Sequence, residues 1–206
     1  MARLKKPINY IEELQKKPET RLLGEKLKKQ YCRWIESLKL EDFYDFINLI
    51  EENKQLIGAA QFFGKFRAYS LEEYVYRLIK EKCGLSEKFE VFWGEKCLIS
   101  KQNESEYCME ADIIVGKKLN NCIRPRIVVD AKIELDASRF KTSLASFVLI
   151  KRVYPEAKCL LVYLKKELDD KLFHLASSWF DGIYSFNIRL DETKEFIESI
   201  QDCIFS

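Results

Sequence analysis

The sequence predicts an α/β fold, in which a mixed central sheet is flanked by helices and preceded by a helical N-terminal region. The first third of the chain carries apolar residues at helical spacing, as in Phe43, Phe46, Ile47 and Ile50. From about residue 89 onward, short apolar runs alternate with helical patterns, which is typical of an α/β core. With 206 residues and a hydrophobic content of 47%, the chain can bury a sizeable core.

The N-terminal region is predicted to contain two long helical stretches. Pro18 opens a helix over residues 20–38, and the helical pattern continues from Asp42 to about Phe66. The first 30 residues hold nine Lys and Arg against four Glu. Such a basic end can hold phosphate, although a solvated helical surface explains the same charges.

A third helix is predicted to begin at Ser70, because Ser70 and Glu73 match the S-x-x-E capping-box pattern. Gly84 provides a natural stop for this helix after about residue 83. The chain is therefore predicted to divide into a helical region over residues 1–69 and a core over residues 70–206.

Within the core, strands and helices are predicted to alternate after three initial strands. Strands are predicted over residues 89–93, 110–115, 126–135, 158–164 and 183–188. Helices are predicted over residues 138–154, 168–179 and 192–200. The first of these helices is expected to pack on the sheet through four apolar residues: Phe140, Leu144, Phe147 and Val148.

The predicted strand over residues 126–135 separates charged from apolar side chains, because successive side chains point to opposite faces of a strand. One face is apolar and carries Ile127, Val129, Ala131, Ile133 and Leu135. The other face is charged and carries Asp130, Lys132, Glu134 and, just beyond, Asp136. Taken alone, this alternation is also typical of a surface strand with a solvated charged face.

A second acid, Asp112, lies in the middle of an otherwise apolar predicted strand. A carboxylate there must be exposed, paired or metal-bound, because burying an unpaired charge is costly. The separation of 18 residues between Asp112 and Asp130 allows two adjacent strands that set the carboxylates side by side. Such a pair suits Mg²⁺, and Lys132 on the same face can stabilise a hydroxide or hold a phosphate. These residue types are those needed to hydrolyse a phosphodiester.

Together these residues resemble the PD-(D/E)xK nuclease superfamily, which includes many type II restriction enzymes. The matching residues are Asp112 within EADIIVG and Asp130 and Lys132 within RIVVDAKIELD. Ala111 stands where the family often has a proline. The resemblance implies a restriction-endonuclease-like fold and Mg²⁺-dependent hydrolysis of phosphodiester bonds in double-stranded DNA, with Mn²⁺ able to replace Mg²⁺.

The family often adds a glutamate on the helix before the sheet, and EEYVYRLI at residues 72–79 is similar to that context. Glu73 is already explained as the capping partner of Ser70 and is expected on the solvent side. Glu72 falls on the apolar face of the helix. The resemblance therefore assigns the metal-binding role to Glu72, with a Glu at the rim of a core face as the alternative.

Two further acids accompany the predicted site. Glu110 shares a strand face with Asp112, so it is a candidate further ligand or a support for the ligands. Glu134 lies on the same charged face as Asp130, where it either supports the site or is solvated.

The expected protein is a type II restriction endonuclease that acts as a homodimer, with one active site for each DNA strand. The helical region over residues 1–69 would form the dimer or clasp DNA. The first alternative is a structure-specific repair or Holliday-junction nuclease, and the second is a non-cutting nucleic-acid-binding protein on the same fold. A plain α/β scaffold with charged surface strands is the remaining alternative, and it predicts that Asp112, Asp130 and Lys132 lie far apart or face bulk water.

The composition excludes several other classes. Seven cysteines are scattered without a CxxC pair, which argues against a zinc ribbon or a redox motif and favours a cytoplasmic, reduced protein. The first residues lack the apolar run of a signal peptide, and no apolar stretch approaches the roughly 18 residues of a membrane span, so we expect no membrane partner.

Overall fold

The computed structural model describes residues 6–85, 87–102, 105–119 and 122–205. The chain divides into two compact units, a helical unit over residues 1–77 and a sheet unit over residues 78–206.

From residue 6 onward, where the description begins, the helical unit is built from five helices that follow one another along the chain. They are α1 (Pro7–Lys16), α2 (Arg21–Ser37), α3 (Leu40–Glu52), α4 (Lys54–Ile57) and α5 (Ala60–Lys82), of which α5 continues into the sheet unit. The pattern predicted to be one helical stretch from Asp42 to Phe66 is interrupted at Asn53 and again at Gly58. Gly58 has a φ of 94°, a conformation that disfavours any residue with a side chain.

Aromatic side chains form the core of the helical unit. Tyr10 on α1 stacks on Phe66 of α5 at 5.2 Å, and Phe43 on α3 stacks on Tyr74 of α5 at 4.4 Å. Trp34 on α2 is fully buried and meets the Phe43 ring edge to face. These contacts connect helices that are distant in sequence, so the unit has a hydrophobic core of its own.

The helix predicted to begin at Ser70 begins instead at Ala60, so the capping-box prediction was wrong. Ser70 is buried inside α5, and its hydroxyl donates to the Phe66 carbonyl oxygen at 2.7 Å, one turn back along the same helix. The boundary predicted between residues 69 and 70 therefore falls inside a continuous helix. The helix ends at Lys82, and Gly84 follows with a φ of 59°, as its role as a stop signal requires.

Among its described residues, the sheet unit contains six strands and three further helices. The strands are β1 (Glu90–Gln102), β2 (Ser105–Leu119), β3 (Cys122–Leu135), β4 (Lys158–Lys166), β5 (Gly182–Asn187) and β6 (Leu190–Asp191). The helices are α6 (Ala137–Val153), α7 (Asp170–Ser177) and α8 (Thr193–Phe205). The predicted order of elements is confirmed. Strands β1 and β2 are longer than predicted, and the short strand β6 was not predicted.

The six strands form one mixed sheet in the order β1-β2-β3-β4-β5-β6. The pairs β1–β2, β2–β3 and β5–β6 are antiparallel, whereas β3–β4 and β4–β5 are parallel. Strand β1 also pairs with β3, where Cys97 lies opposite Ile123, so the first three strands curl until the outer one meets the third. This mixed sheet, with its flanking helices and the helical N-terminal region, is a restriction-endonuclease-like α/β fold.

Helix α6 packs on the sheet through a face slightly different from the predicted one. Phe140 and Phe147 are buried as expected, but Val148 is 47% exposed. Ser143 and Ile150 are buried in its place. Along the described residues, no helix combines the length and the apolar character that crossing a membrane requires.

Candidate active site

The two central acids of the sequence pattern lie on neighbouring antiparallel strands. The ladder between β2 and β3 places Ile113 opposite Val129. Asp112 comes just before Ile113 and Asp130 just after Val129, so the two acids lie at the same end of that pair because the strands are antiparallel. The backbone N–H of Ala131 donates to Asp112 Oδ2 at 2.9 Å. This bond attaches the Asp112 side chain to the backbone of β3 beside Asp130, so the sheet itself fixes the spacing of the two carboxylates.

Lys132 brings a cation to both acids. It lies two residues beyond Asp130, on the same face of β3, as the alternation of the strand predicts. Its Nζ donates to Asp130 Oδ1 and lies 3.4 Å from Asp112 Oδ2. The side chains of Asp112, Asp130 and Lys132 are 26%, 16% and 22% exposed, so they are partly desolvated but still reachable from solvent. The plain-scaffold alternative required these residues to lie far apart or in bulk water, and the structure contradicts it.

Helix α6 supplies a partner that the sequence pattern did not identify. The Ser143 hydroxyl donates to Asp130 Oδ2 and lies 3.0 Å from the Arg139 carbonyl oxygen, and the residue is fully buried. The start of α6 is fixed by Asp136, whose side chain accepts from the Arg139 N–H at 2.8 Å. The sequence signal that could have identified Ser143 is its position between Phe140 and Phe147 on the apolar face of a predicted helix.

The ionisation of the site follows from these contacts. Burial by itself raises the pKa of Asp130, but its contacts with Asp112, Lys132 and Ser143 outweigh that effect and hold the pKa below its usual value. Burial likewise tends to lower the pKa of Lys132, and the two carboxylates overcome this and raise it. At neutral pH, Asp130 is therefore a carboxylate and Lys132 an ammonium.

A small cavity of about 150 Å³ opens beside these side chains. Its walls come from β2, β3 and α6, and they include Glu110, Asp112, Asp130, Lys132, Thr142 and Ser146. A space of this size holds a few water molecules, each of which takes roughly 30 Å³ of liquid volume. It is therefore large enough for a hydrated ion or a phosphate group.

The two additional acids of the sheet have different positions. Glu110 is exposed and lines the cavity beside Asp112, as its shared strand face predicts. Glu134 Oε2 lies 3.8 Å from the guanidinium of Arg139, which also pairs with Asp136 at 2.8 Å. Glu134 therefore faces the start of α6.

The two glutamates at the centre of α5 are both buried, Glu72 at 8% and Glu73 at 3% exposure. The expectation that Glu73 faces solvent was wrong. Its carboxylate accepts from the Tyr31 hydroxyl at 2.9 Å and from the Arg77 guanidinium at 2.8 Å. The assignment of Glu72 as a metal ligand stays a prediction from the sequence.

The donors around the cavity fit a hard divalent cation. Among the described residues, no group of three or more His, Cys, Asp or Glu side chains is arranged to hold a metal ion. However, Mg²⁺ in proteins is commonly held by only one or two carboxylates, with water and substrate phosphate completing its coordination. The Lys132 ammonium lies where a cation contacts both acids, 3.4 Å from Asp112 Oδ2 and bonded to Asp130 Oδ1.

Comparisons with known proteins add a likeness in fold. No protein-family model and no curated protein matches the chain. The chain is similar to the solved structure of the native BbvCI A2B2 tetramer, with a TM-score of 0.58 and 16% sequence identity. The match covers 95% of this chain and 92% of that chain. At this level of identity the likeness shows a restriction-endonuclease-like fold.

Proposed function

We propose that the protein is a Mg²⁺-dependent endonuclease that hydrolyses phosphodiester bonds of double-stranded DNA, as a sequence-specific type II restriction enzyme. The observation that carries this proposal is the convergence of Asp112, Asp130 and Lys132 beside one small cavity. The fold supports it, because the mixed sheet with its flanking helices is a restriction-endonuclease-like α/β fold.

The proposed chemistry assigns a separate task to each side chain of the chain itself. Asp112 and Asp130 would hold the metal ion, with Ser143 and the Ala131 N–H fixing their orientation. When bound, Mg²⁺ or Mn²⁺ supplies Lewis acidity at the scissile phosphate and lowers the pKa of water.

Lys132 would contact the phosphate oxygen on which negative charge develops, because its ammonium reaches the space beside both carboxylates. Its partial burial strengthens this interaction, since charges interact more strongly away from bulk water. Glu72 is proposed as a further acidic residue that assists metal binding, and Glu110 as a support for Asp112.

The proposed substrate has two strands, and one chain offers one such set of residues. A homodimer would present two active sites to one duplex, and we propose this assembly for the protein, with the helical N-terminal region forming the dimer or clasping DNA. The comparison is compatible with oligomeric action, since BbvCI forms an A2B2 tetramer.

The proposal is tested by digesting plasmid and phage DNA with the purified full chain in the presence of Mg²⁺. We expect discrete fragments that disappear when EDTA is added. The Lys132→Ala variant should leave the DNA intact. The matched Lys194→Ala variant, which removes a lysine whose side chain is 83% exposed on α8, should cut like the wild type.

Other outcomes would point to the alternatives. Cutting confined to branched DNA would favour a structure-specific repair or junction nuclease that uses the same residues. If no duplex, branched or single-stranded DNA is cut with Mg²⁺ or Mn²⁺ at any temperature tried, the enzyme proposal fails and a non-cutting nucleic-acid-binding protein remains. If Lys132→Ala cuts as well as Lys194→Ala, the site has been assigned to the wrong residues.

A further inference from the structure

Two cysteine thiols meet where the first three strands curl together. Cys108 on β2 lies opposite Leu98 of β1, and Cys122 on β3 directly precedes Ile123, which lies opposite Cys97 of β1. The β2–β3 ladder places Cys122 opposite Leu119, so that ladder alone keeps Cys122 away from Cys108. The two cysteines meet because β1 pairs with both β2 and β3.

The sulfur atoms of Cys108 and Cys122 are 2.7 Å apart, and both residues carry free thiols. A disulfide bond has a sulfur–sulfur length of about 2.05 Å, so a shift of under roughly 1 Å would bring the two atoms to bonding distance.

We propose that Cys108 and Cys122 form a modification site at which a small-molecule disulfide, such as oxidised glutathione, reversibly converts the two thiols into an intrachain disulfide. Cys108 is the half-buried member of the pair and is open to attack from solvent, whereas Cys122 is buried behind it at 9% exposure. Cys108 therefore reacts first, and Cys122 completes the bond.

The reaction balances as two successive thiol–disulfide exchanges. In the first, the Cys108 thiolate attacks one sulfur of the small disulfide, whose sulfur–sulfur bond breaks and releases one small thiol. In the second, the Cys122 thiolate attacks Cys108 Sγ of the mixed disulfide, and the second small thiol leaves. The protein loses two electrons and two protons, and the small disulfide gains them as two thiols.

The surroundings favour this pair over other thiols of the sheet unit. Burial raises the pKa of the Cys83 and Cys159 thiols to about 12 and that of Cys97 to about 11. Because the thiolate is the reactive form, these three remain protonated and unreactive near neutral pH.

The test is peptide mapping of the folded full chain after treatment with oxidised glutathione. Free thiols are then alkylated in denaturant, and the chain is digested with trypsin without reduction. Trypsin separates the three neighbouring cysteines onto different peptides: residues 97–101, 102–117 and 119–126. We expect a cross-linked pair of the peptides 102–117 and 119–126, about 2 Da lighter than their sum. Dithiothreitol should separate the cross-linked pair into its two peptides.

A Cys122→Ser variant should lose the cross-linked peptide and instead retain glutathione on Cys108. The matched Cys32→Ser variant, which removes an exposed cysteine of the helical unit, should form the cross-link like the wild type. The proposal is overturned if both peptides of the treated wild type carry the alkylating label, if Cys97 replaces either partner, or if Cys108 keeps glutathione while Cys122 stays free. Mapping of the wild type decides the outcome even if a variant does not fold.

Discussion

Two sets of ion pairs, one in each unit, differ in how many acids contact one basic side chain. In the helical unit, Glu73 pairs with Arg77 at 2.8 Å, and Glu51 pairs with Arg67 at 2.8 Å, so each of these acids has an arginine of its own. In the sheet unit, Asp112 and Asp130 both lie within ion-pair distance of the same ammonium, that of Lys132.

This difference distinguishes a structural ion pair from a candidate active site. A buried carboxylate with its own guanidinium and a hydroxyl donor is fully satisfied, and it has no excess charge with which to attract a ligand. Asp112, Asp130 and Lys132 instead lie beside a small cavity and are partly exposed, so a ligand can reach them. We expect substitutions in the first arrangement to change stability and substitutions in the second to change activity.

The largest effect is expected for Asp130→Asn. This change removes a proposed metal ligand, so DNA cleavage should fall by roughly 10³-fold. The free energy of unfolding should stay within about 1 kcal/mol of the wild-type value, because Asp112 and Lys132 remain as a balanced pair. Cleavage rates and thermal unfolding measure the two quantities. The control is Asp170→Asn on α7, where the Asp170 side chain is 87% exposed. This change should alter neither the cleavage rate nor the free energy of unfolding. Destabilisation with normal cleavage by the folded fraction would show that the pair is structural.

The adjacent residues Glu72 and Glu73 allow the same substitution to be compared in two predicted roles. Glu73→Gln should lower the free energy of unfolding by about 1–3 kcal/mol, because it removes the carboxylate that pairs with Arg77. Solvent limits the loss, since the Arg77 side chain is 32% exposed. Glu72→Gln should mainly lower cleavage and raise the Mg²⁺ concentration needed for it. Denaturant unfolding and Mg²⁺ titration of cleavage measure the two effects. If Glu73→Gln weakens Mg²⁺ dependence and Glu72→Gln does not, the two assignments must be exchanged.

A smaller effect is expected for Ser143→Ala, which removes the hydroxyl that holds Asp130 in place. Residues that orient metal ligands commonly change metal affinity or activity by about 10-fold to 100-fold. We expect cleavage to fall by a factor near the lower value, and the Mg²⁺ concentration needed for cleavage to rise. Saturating Mg²⁺ should restore part of the lost activity. Ser138→Ala, at an exposed position of α6, is the matched control. An equal loss at all Mg²⁺ concentrations would argue against a positioning role.

The smallest effect concerns alkaline pH and the helical unit. Burial and the neighbouring Glu73 carboxylate raise the pKa of Tyr31 above its usual value of 10. Because the folded state holds this proton more tightly than the unfolded chain, the associated stability is fully present below pH 10 and is lost as the pH rises further.

The unfolding free energy of the wild type should therefore fall more steeply above pH 10 than that of Tyr31→Phe, by up to about 1.4 kcal/mol per pH unit. Tyr107→Phe, at a residue that is 59% exposed, should follow the wild-type curve. Parallel curves for the wild type and Tyr31→Phe would mean that the Tyr31 proton does not contribute.

Much of the sheet unit could be predicted because its signals are local. The order of strands and helices followed from runs of apolar residues, and the position of Gly84 after α5 followed from its freedom to adopt a positive φ. The strict alternation along β3 was sufficient to place Asp130 and Lys132 on one face. The same local reasoning failed at Ser70, where a capping-box pattern lies inside a helix that the aromatic core of the helical unit keeps continuous.

The sequence by itself determined which residue types are present for metal and phosphate chemistry, and that a strand carries two of them on one face. Only the tertiary structure decided that Asp112 attaches to β3 through the Ala131 N–H, that Ser143 supports Asp130, and that Cys108 meets Cys122. The physical reason is that periodicity along one element is set by backbone geometry. Contacts between elements depend instead on how strands curl and helices pack, which involves residues far apart in the chain.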